Sequence, residues 1–168
     1  MLKLRTDPDP ILKQRAEPFN FESVSEEYTA RLESDMLELM TASNGIGLAA
    51  NQVGLLNRVF VIQLSDGQRI AMFNPRVLSE STDIQDSEEG CLSFPDLWLD
   101  VKRPKTIEAA YLDKTGKECI LTLTGIDARC FLHELDHLDG ITFTTKVSQM
   151  KLLLAQKKQL KRQRIKNG

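Results

Sequence analysis

Between residues 24 and 43 apolar side chains return every three or four positions, at Tyr28, Leu32, Met36, Leu39 and Met40, with charges on the opposite side. That spacing predicts an amphipathic helix. Ser23 followed three residues later by Glu26 resembles a capping box at its start, and Asn44-Gly45 is a stop signal. The period then changes. The segment "GIGLAANQVG", Gly45 to Gly54, is too small and too Gly-rich for helix, and behind it two β-branched runs, "RVFVIQ" and "RIAMFN", flank the turn residues Ser65-Asp66-Gly67. They predict a hairpin. A second hairpin is predicted where "TIEAAYL" and "ECILTLT" flank Asp113-Lys114-Thr115-Gly116. Thr124 and Asp127 stand in capping positions before "ARCFLHELDHLD", and Gly140 stands where such a helix would stop, so a helix is expected over residues 127 to 139. Strands and helices cluster rather than alternate, which favours an α+β fold with antiparallel sheet over a doubly wound parallel one. There is no internal repeat and no low-complexity segment.

Composition narrows the class without changing this picture. A chain of 168 residues can bury one substantial core but is short for two, so a single domain over 1–168 is expected. Its 41% hydrophobic and 27% charged residues fit a soluble globular protein and exclude disordered and fibrous classes. "MLKLRTDPDP" lacks the apolar core of a signal peptide, and nothing approaches the roughly 18 apolar residues of a membrane span, so a cytoplasmic location away from membrane is expected. The net charge of -2 conceals an asymmetry. The tail from Lys151 to Gly168 holds seven Lys or Arg and no acid, leaving 15 basic against 24 acidic residues elsewhere. It opens on an apolar patch at Leu152, Leu153 and Leu154, and a basic C-terminal helix is expected from about residue 147. That tail reads either as a docked helix fading into a solvated terminus or as a contact with polyanion such as ribosomal RNA, which rising salt would weaken steeply.

Candidate chemistry enters with "FLHELDHLDG", which contains both of the chain's histidines, His133 and His137. Four positions apart on a helix, their Cβ atoms would lie about 5 to 6 Å from each other, so both imidazoles could face one ion. Glu134 completes an HExxH arrangement, in which the glutamate takes a proton from metal-bound water and does not itself bind metal. The competing reading is a solvated, salt-bridged helix face. A catalytic centre usually needs a third protein ligand and an open position. The three cysteines, an odd number with no export signal, argue against a disulfide framework. Cys130 precedes His137 by seven residues, about 10 Å along a helix axis, and three ligands from two turns would converge poorly. Cys119 falls in a strand run and reads as a small buried hydrophobe. Cys91, in "EEGCLSFP", sits in a non-helical segment whose backbone can approach a ligand, and reads either as the third ligand or as a buried free thiol. As a ligand it would complete a Cys, His, His site whose fourth position holds water of lowered pKa.

Three segments in order, "GIGLAANQ" at 45–52, "EGCLS" at 89–93 and "HELDH" at 133–137, resemble the hallmarks of the peptide deformylases. "DPILKQRAEP" and the hairpin pattern between the second and third segments are similar as well, so the resemblance covers almost the whole chain. It implies antiparallel sheets packed around a central metal-binding helix, with a C-terminal helix. It also implies an enzyme that removes the N-formyl group from the initiating methionine of nascent polypeptides and releases formate. In that reading Cys91, His133 and His137 bind one divalent ion, and Glu134 activates the water and returns its proton to the leaving amine. The side-chain amide of Gln52 and the backbone N–H of Leu92 meet the developing oxyanion. Cys, His, His coordination suits zinc, while the resemblance points to ferrous iron as the native ion, with nickel or cobalt able to substitute. The implied substrate contacts are Gly45, Ile46, Gly47, Glu89, Gly90, Ile126 and Cys130. Ala49 and Ala50 join Gly45 and Gly47 in letting an extended peptide pair as an added strand, and Ile46, Ile126, Cys130 and His133 line a methionine pocket. An arginine matching Arg103 meets Asp136 and braces the helix.

Two positions depart from the pattern. Leu132 stands where the family usually has glutamine, and Trp98, in "DLWLDVKR", where many relatives have a polar or basic residue. Trp98 reads as an apolar platform for downstream substrate residues or as a core aromatic. Two other functions remain compatible with the residues. One is a zinc endopeptidase, which would cleave peptides internally. The other is a metal-dependent binder of formylated nascent chains with its basic tail on the ribosome. Nothing in the sequence requires more than a monomer.

Overall fold

The computed structural model describes residues 2–166; Met1 and the end of the expected tail, Asn167 and Gly168, lie outside the described residues. Helix α1 spans Glu26–Ala42 and buries Leu32, Met36 and Met40. Its N-cap is Ser25, whose hydroxyl accepts from the Tyr28 N–H, and not Ser23, which closes a short 3-10 turn at Phe21–Ser23. Asn44 takes a positive φ of 56°, and the Gly45 N–H returns to the Met40 carbonyl at 2.9 Å, which ends the helix where the sequence indicated.

Seven strands follow the expected clustering: β1 Gly47–Ala49, β2 Val59–Gln63, β3 Arg69–Glu80, β4 Ile84–Cys91, β5 Phe94–Pro104, β6 Thr106–Leu112 and β7 Glu118–Thr124. Five form one antiparallel sheet in the order β1-β2-β3-β6-β7, and β4 with β5 forms a separate ribbon. Both expected hairpins are present, β2 with β3 and β6 with β7. β3 runs six residues past the expected "RIAMFN", with register shifts along its pairing to β6. The fold is α+β, and its sheet is covered on both faces. Successive β2 residues serve opposite layers, as a two-residue strand period requires. Phe60 and Ile62 join the apolar cluster of the histidine helix, while Val59 and Val61 join that of α1.

The histidine helix, α2, spans Ile126–Leu138 and lays Phe131 edge-on against Phe60, with ring centroids 5.2 Å apart. Neither expected residue caps it. Gly125, at φ 61°, precedes the first turn, the Thr124 hydroxyl donates to the Lys105 carbonyl, and the Asp127 carboxylate accepts from the N–H and hydroxyl of Ser65 at 2.8 and 2.7 Å. Asp127 therefore tethers the start of α2 to the β2–β3 turn. Gly140, at φ 71°, follows the last turn, and a side chain there would meet the Lys13 carbonyl.

Helix α3 spans Gln149–Lys166 and docks along β5. Leu152 and Ala155 turn towards the apolar cluster under β5, and the Gln159 and Gln163 amides donate to the Pro95 carbonyl at 2.7 and 3.5 Å. The expected apolar patch is divided, because Leu153 and Leu154 face outward. No helix among the described residues is long and apolar enough to cross a membrane.

Candidate metal centre

β4 ends at Cys91, and a shift in its pairing with β5 falls between Gly90 and Cys91. Across from it, α2 presents His133 and His137 one turn apart, with ring centroids separated by 5.0 Å. The Cys91 Sγ and one ring nitrogen of each histidine lie within 4.8 Å of one another, and the sulfur is 3.2 Å from His137 Nε2. One cysteine sulfur and two imidazoles form a donor set suited to zinc or ferrous iron. Burial alone would lower the pKa of His133, but hydrogen bonds with Cys91 and Glu89 hold it up to about 10. His137 is pushed well down, first by burial and then by the neighbouring His133.

Glu89 organises the polar side of the centre. Its carboxylate is 4% exposed. Oε2 meets His133 Nδ1 at 2.9 Å and accepts from Arg103 Nη2 at 3.0 Å, while Oε1 accepts from Arg103 Nε at 2.5 Å and from Arg129 Nη1 at 2.7 Å. Burial would raise its pKa, but the His133 and Arg103 hydrogen bonds outweigh burial and bring it down to about 2. With Nδ1 engaged by Glu89, the other nitrogen of His133 is left to face the Cys91 sulfur. Arg103 continues to Asp136 at 2.8 Å, and Lys146 reaches the second Asp136 oxygen at 3.0 Å. The expected Arg103–Asp136 brace is thus one arm of a larger network.

Glu134 is 4% exposed, and its Oε2 has no partner among the described residues. Burial raises its pKa to about 7, with His133 acting in the opposite direction. Opposite it, a Cβ on Gly47 would lie 2.8 Å from Glu134 Cδ, so only hydrogen fits there. Gln52 is buried, accepts from the Ala49 N–H at 2.8 Å through Oε1, and donates through Nε2 to Ser93 Oγ at 3.0 Å and towards Cys91 Sγ at 3.5 Å. Leu92 follows Cys91, and its side chain packs over Gly45, where an added Cβ would lie 2.6 Å from Leu92 Cδ1.

These groups open onto a cavity of about 600 Å³. Gly45, Ile46, Gly47, Gly90, Ile126 and Cys130 all border it. Glu89 borders it too, although its carboxylate is engaged by Arg103, Arg129 and His133. The Cys130 thiol, pushed well up by burial and by Glu134, stays protonated and points to the Ile46 carbonyl at 3.3 Å. Cys119 lies half-buried in β7, away from these groups. Trp98 is 47% exposed and stands at the rim, its indole covering Gly90 so closely that an added Cβ would come within 2.8 Å of Cζ3. It is not a core aromatic. Leu132 is buried in the apolar cluster behind α2. Sequence reasoning missed Arg129, Ser93, Lys146 and the central position of Glu89. The one signal for Arg129 is its place a helical turn before His133, and that signal means little until β4 is known to lie alongside.

The family model described as polypeptide deformylase matches residues 1–152. A peptide deformylase of Agrobacterium fabrum is 39% identical over 163 residues, covering 95% of this chain and 94% of that protein. One from Thermotoga maritima is 37% identical over 158 residues, covering 94% of each. Among solved structures, a peptide deformylase from Legionella pneumophila has a TM-score of 0.87 at 32% identity, covering 99% of this chain and 98% of that one. That of Synechococcus elongatus in complex with actinonin has a TM-score of 0.86 at 34% identity, covering 94% of this chain and 85% of that one.

Proposed function

Because the chain belongs to the polypeptide deformylase family, we propose that it is a metal-dependent hydrolase which removes the N-formyl group from the initiating methionine of nascent polypeptides. The observation that carries the metal requirement is the convergence of Cys91, His133 and His137 within 4.8 Å beside the unpartnered carboxylate of Glu134. Those three residues would hold one divalent ion, ferrous iron in the native enzyme, with zinc, nickel or cobalt as substitutes. Bound there, the ion supplies Lewis acidity that lowers the pKa of water and polarises the formyl carbonyl. Glu134, which burial raises to about 7 in the metal-free chain, is the carboxylate that would take a proton from water held there. The water oxygen bonds to the formyl carbon, the C–N bond breaks, and Glu134 returns the proton to the departing amine. The Gln52 amide, oriented by Ala49, and the backbone N–H of Leu92 serve the charge that develops on the formyl oxygen.

The substrate runs between two strands that, among the described residues, each pair on one side alone, β1 with β2 and β4 with β5. An extended peptide can add as a strand along Gly45, Ile46 and Gly47 on one side and the Glu89–Gly90 backbone on the other. Its methionine enters the recess of Ile46, Ile126, Cys130 and His133. Trp98 offers the next residues an apolar face. The chain acts as one catalytic domain and as a monomer in the cytoplasm. The outward face of α3, with Lys157, Lys158, Lys161 and Arg164 exposed, supplies a ribosome contact.

The test is formate release from formyl-Met-Ala-Ser beside its acetylated and unmodified counterparts. Formate from the first peptide alone is expected, whereas internal cleavage would indicate an endopeptidase. Glu134→Gln should abolish turnover while metal and peptide still bind. Binding without turnover in the unaltered protein would indicate a carrier of formylated chains, and turnover surviving in Glu134→Gln would contradict the role of that carboxylate.

A further inference from the structure

The ribbon that carries Cys91 and the helix that carries the histidines belong to different apolar clusters. Phe94, Leu97, Leu99 and Val101 of β5 pack with Leu12 and Phe143, while Phe131, Leu132 and Leu138 of α2 pack with the five-stranded sheet. A two-stranded ribbon is marginal on its own. Apolar packing reaches α2 from this cluster through Phe143, whose ring centroid lies 5.6 Å from that of His133, so polar contacts carry much of the ribbon's register against α2, and Arg129 makes four of them. This side chain is 3% exposed. Nη1 donates to Glu89 Oε1 at 2.7 Å, the Val101 carbonyl at 2.8 Å and the Ser87 carbonyl at 3.2 Å, and Nη2 donates to the Gln85 carbonyl at 3.0 Å. Gln85 and Ser87 lie two apart on β4, and Val101 is the partner of Ser87 on β5, so one planar guanidinium engages both strands of the ribbon from a single residue of α2. A lysine, as a point charge, could not span these acceptors.

We infer that Arg129 is a positioning residue for the metal centre, clamping the β4–β5 ribbon to α2 and so fixing where the Cys91 sulfur stands relative to His133 and His137. The inference rests on the metal-centre reading above. Cys91 closes β4 only two residues beyond Glu89, so slack in the ribbon becomes error in the sulfur-to-imidazole separation. A purely stabilising role would predict something else, because a buried ion pair can often be replaced by apolar residues of similar volume at little cost in stability. What an apolar replacement cannot supply is the register between ribbon and helix.

The test uses the full chain, cobalt(II) as the probe, and four proteins: wild type, Arg129→Met, Arg129→Lys, and Leu99→Ala, which loosens the ribbon's packing without touching the clamp. Cobalt(II) affinity is measured by chelator competition, and the sulfur-to-cobalt charge-transfer absorption reports the thiolate bond. Arg129→Met should bind cobalt(II) about 10- to 100-fold more weakly, the range typical for groups that orient metal ligands, with a weakened charge-transfer band. Arg129→Lys should fall between it and wild type, and Leu99→Ala should melt earlier yet bind as wild type does. Wild-type affinity and absorption in Arg129→Met, or in Arg129→Lys should the first fail to fold, would overturn the inference. So would an equal loss in Leu99→Ala, which would show that any loosening suffices. A wild-type protein that binds no cobalt(II) would instead overturn the metal reading itself, and the inference with it.

Discussion

Gly47 shows how tightly single atoms constrain this centre. A methyl group there would press on the Glu134 side chain, with its carbon 2.8 Å from Cδ and 2.9 Å from Cγ. Gly47→Ala should therefore lower kcat for a formylated peptide by about 100-fold, the scale expected when a catalytic group is displaced by about 1 Å, while metal content stays at the wild-type level. Steady-state kinetics beside metal analysis would check this, and unchanged kcat would contradict the close packing of Gly47 and Glu134. At this scale the sequence disclosed what spacing can encode. The two histidines and Glu134 announce themselves by a helical period, and Cys91 by its place in a glycine-flanked, non-helical stretch. Arg129 was hidden for a physical reason. A buried guanidinium is legible only through its acceptors, and three of those are backbone carbonyls in a ribbon 28 to 44 residues away.

Among the elements, the β4–β5 ribbon carries the third ligand, and it was the element least visible in advance. β4 reads "IQDSEEGC", polar on nearly every residue because Glu89 is the only one of the eight that is buried, so no alternation marks it as a strand. β5 does alternate, with Leu97, Leu99 and Val101 turned inward, but it had no evident partner. The two hairpins of the main sheet were legible because their apolar runs end at turn residues. Asp127 does not cap α2, because its carboxylate is engaged by Ser65 in another element. The ribbon's attachment to α2 also sets an acid limit on stability. Glu89 titrates near 2 in the folded chain against an ordinary 4.5, so its contribution is complete above pH 4.5 and is lost as pH falls towards 2. The full span is worth about 3 kcal/mol. Urea unfolding of metal-free protein at pH 5 and pH 3 should show a steeper loss in wild type than in Glu89→Gln, and parallel losses would contradict the coupling.

On the scale of the whole molecule, charge is distributed unevenly, and the basic residues of α3 are divided: Arg162 and Lys166 reach Asp96 of β5, while others face outward. Leu152, Ala155, Gln159 and Gln163 turn towards β5, while Lys157, Lys158 and Lys161 face away from it beside exposed Leu154 and Ile165. The tail's charge and helical character are legible in the sequence, but which face docks depends on Pro95 and Asp96 in β5. Changing Lys157, Lys158 and Lys161 together to Glu should reduce the log–log salt slope of ribosome binding by about 2 to 3 and leave formate release from a tripeptide unchanged. Equal salt slopes would remove α3 from that contact. The proposed chemistry requires a sulfur from β4 and two imidazoles from α2 to share one ion. X-ray absorption at the metal edge of anaerobically purified protein tests this most directly. One equivalent of divalent metal with a single sulfur neighbour at roughly 2.3 Å and nitrogen neighbours from imidazole is the predicted result. A protein with no stoichiometric metal, or a metal surrounded by nitrogen and oxygen alone, would contradict it.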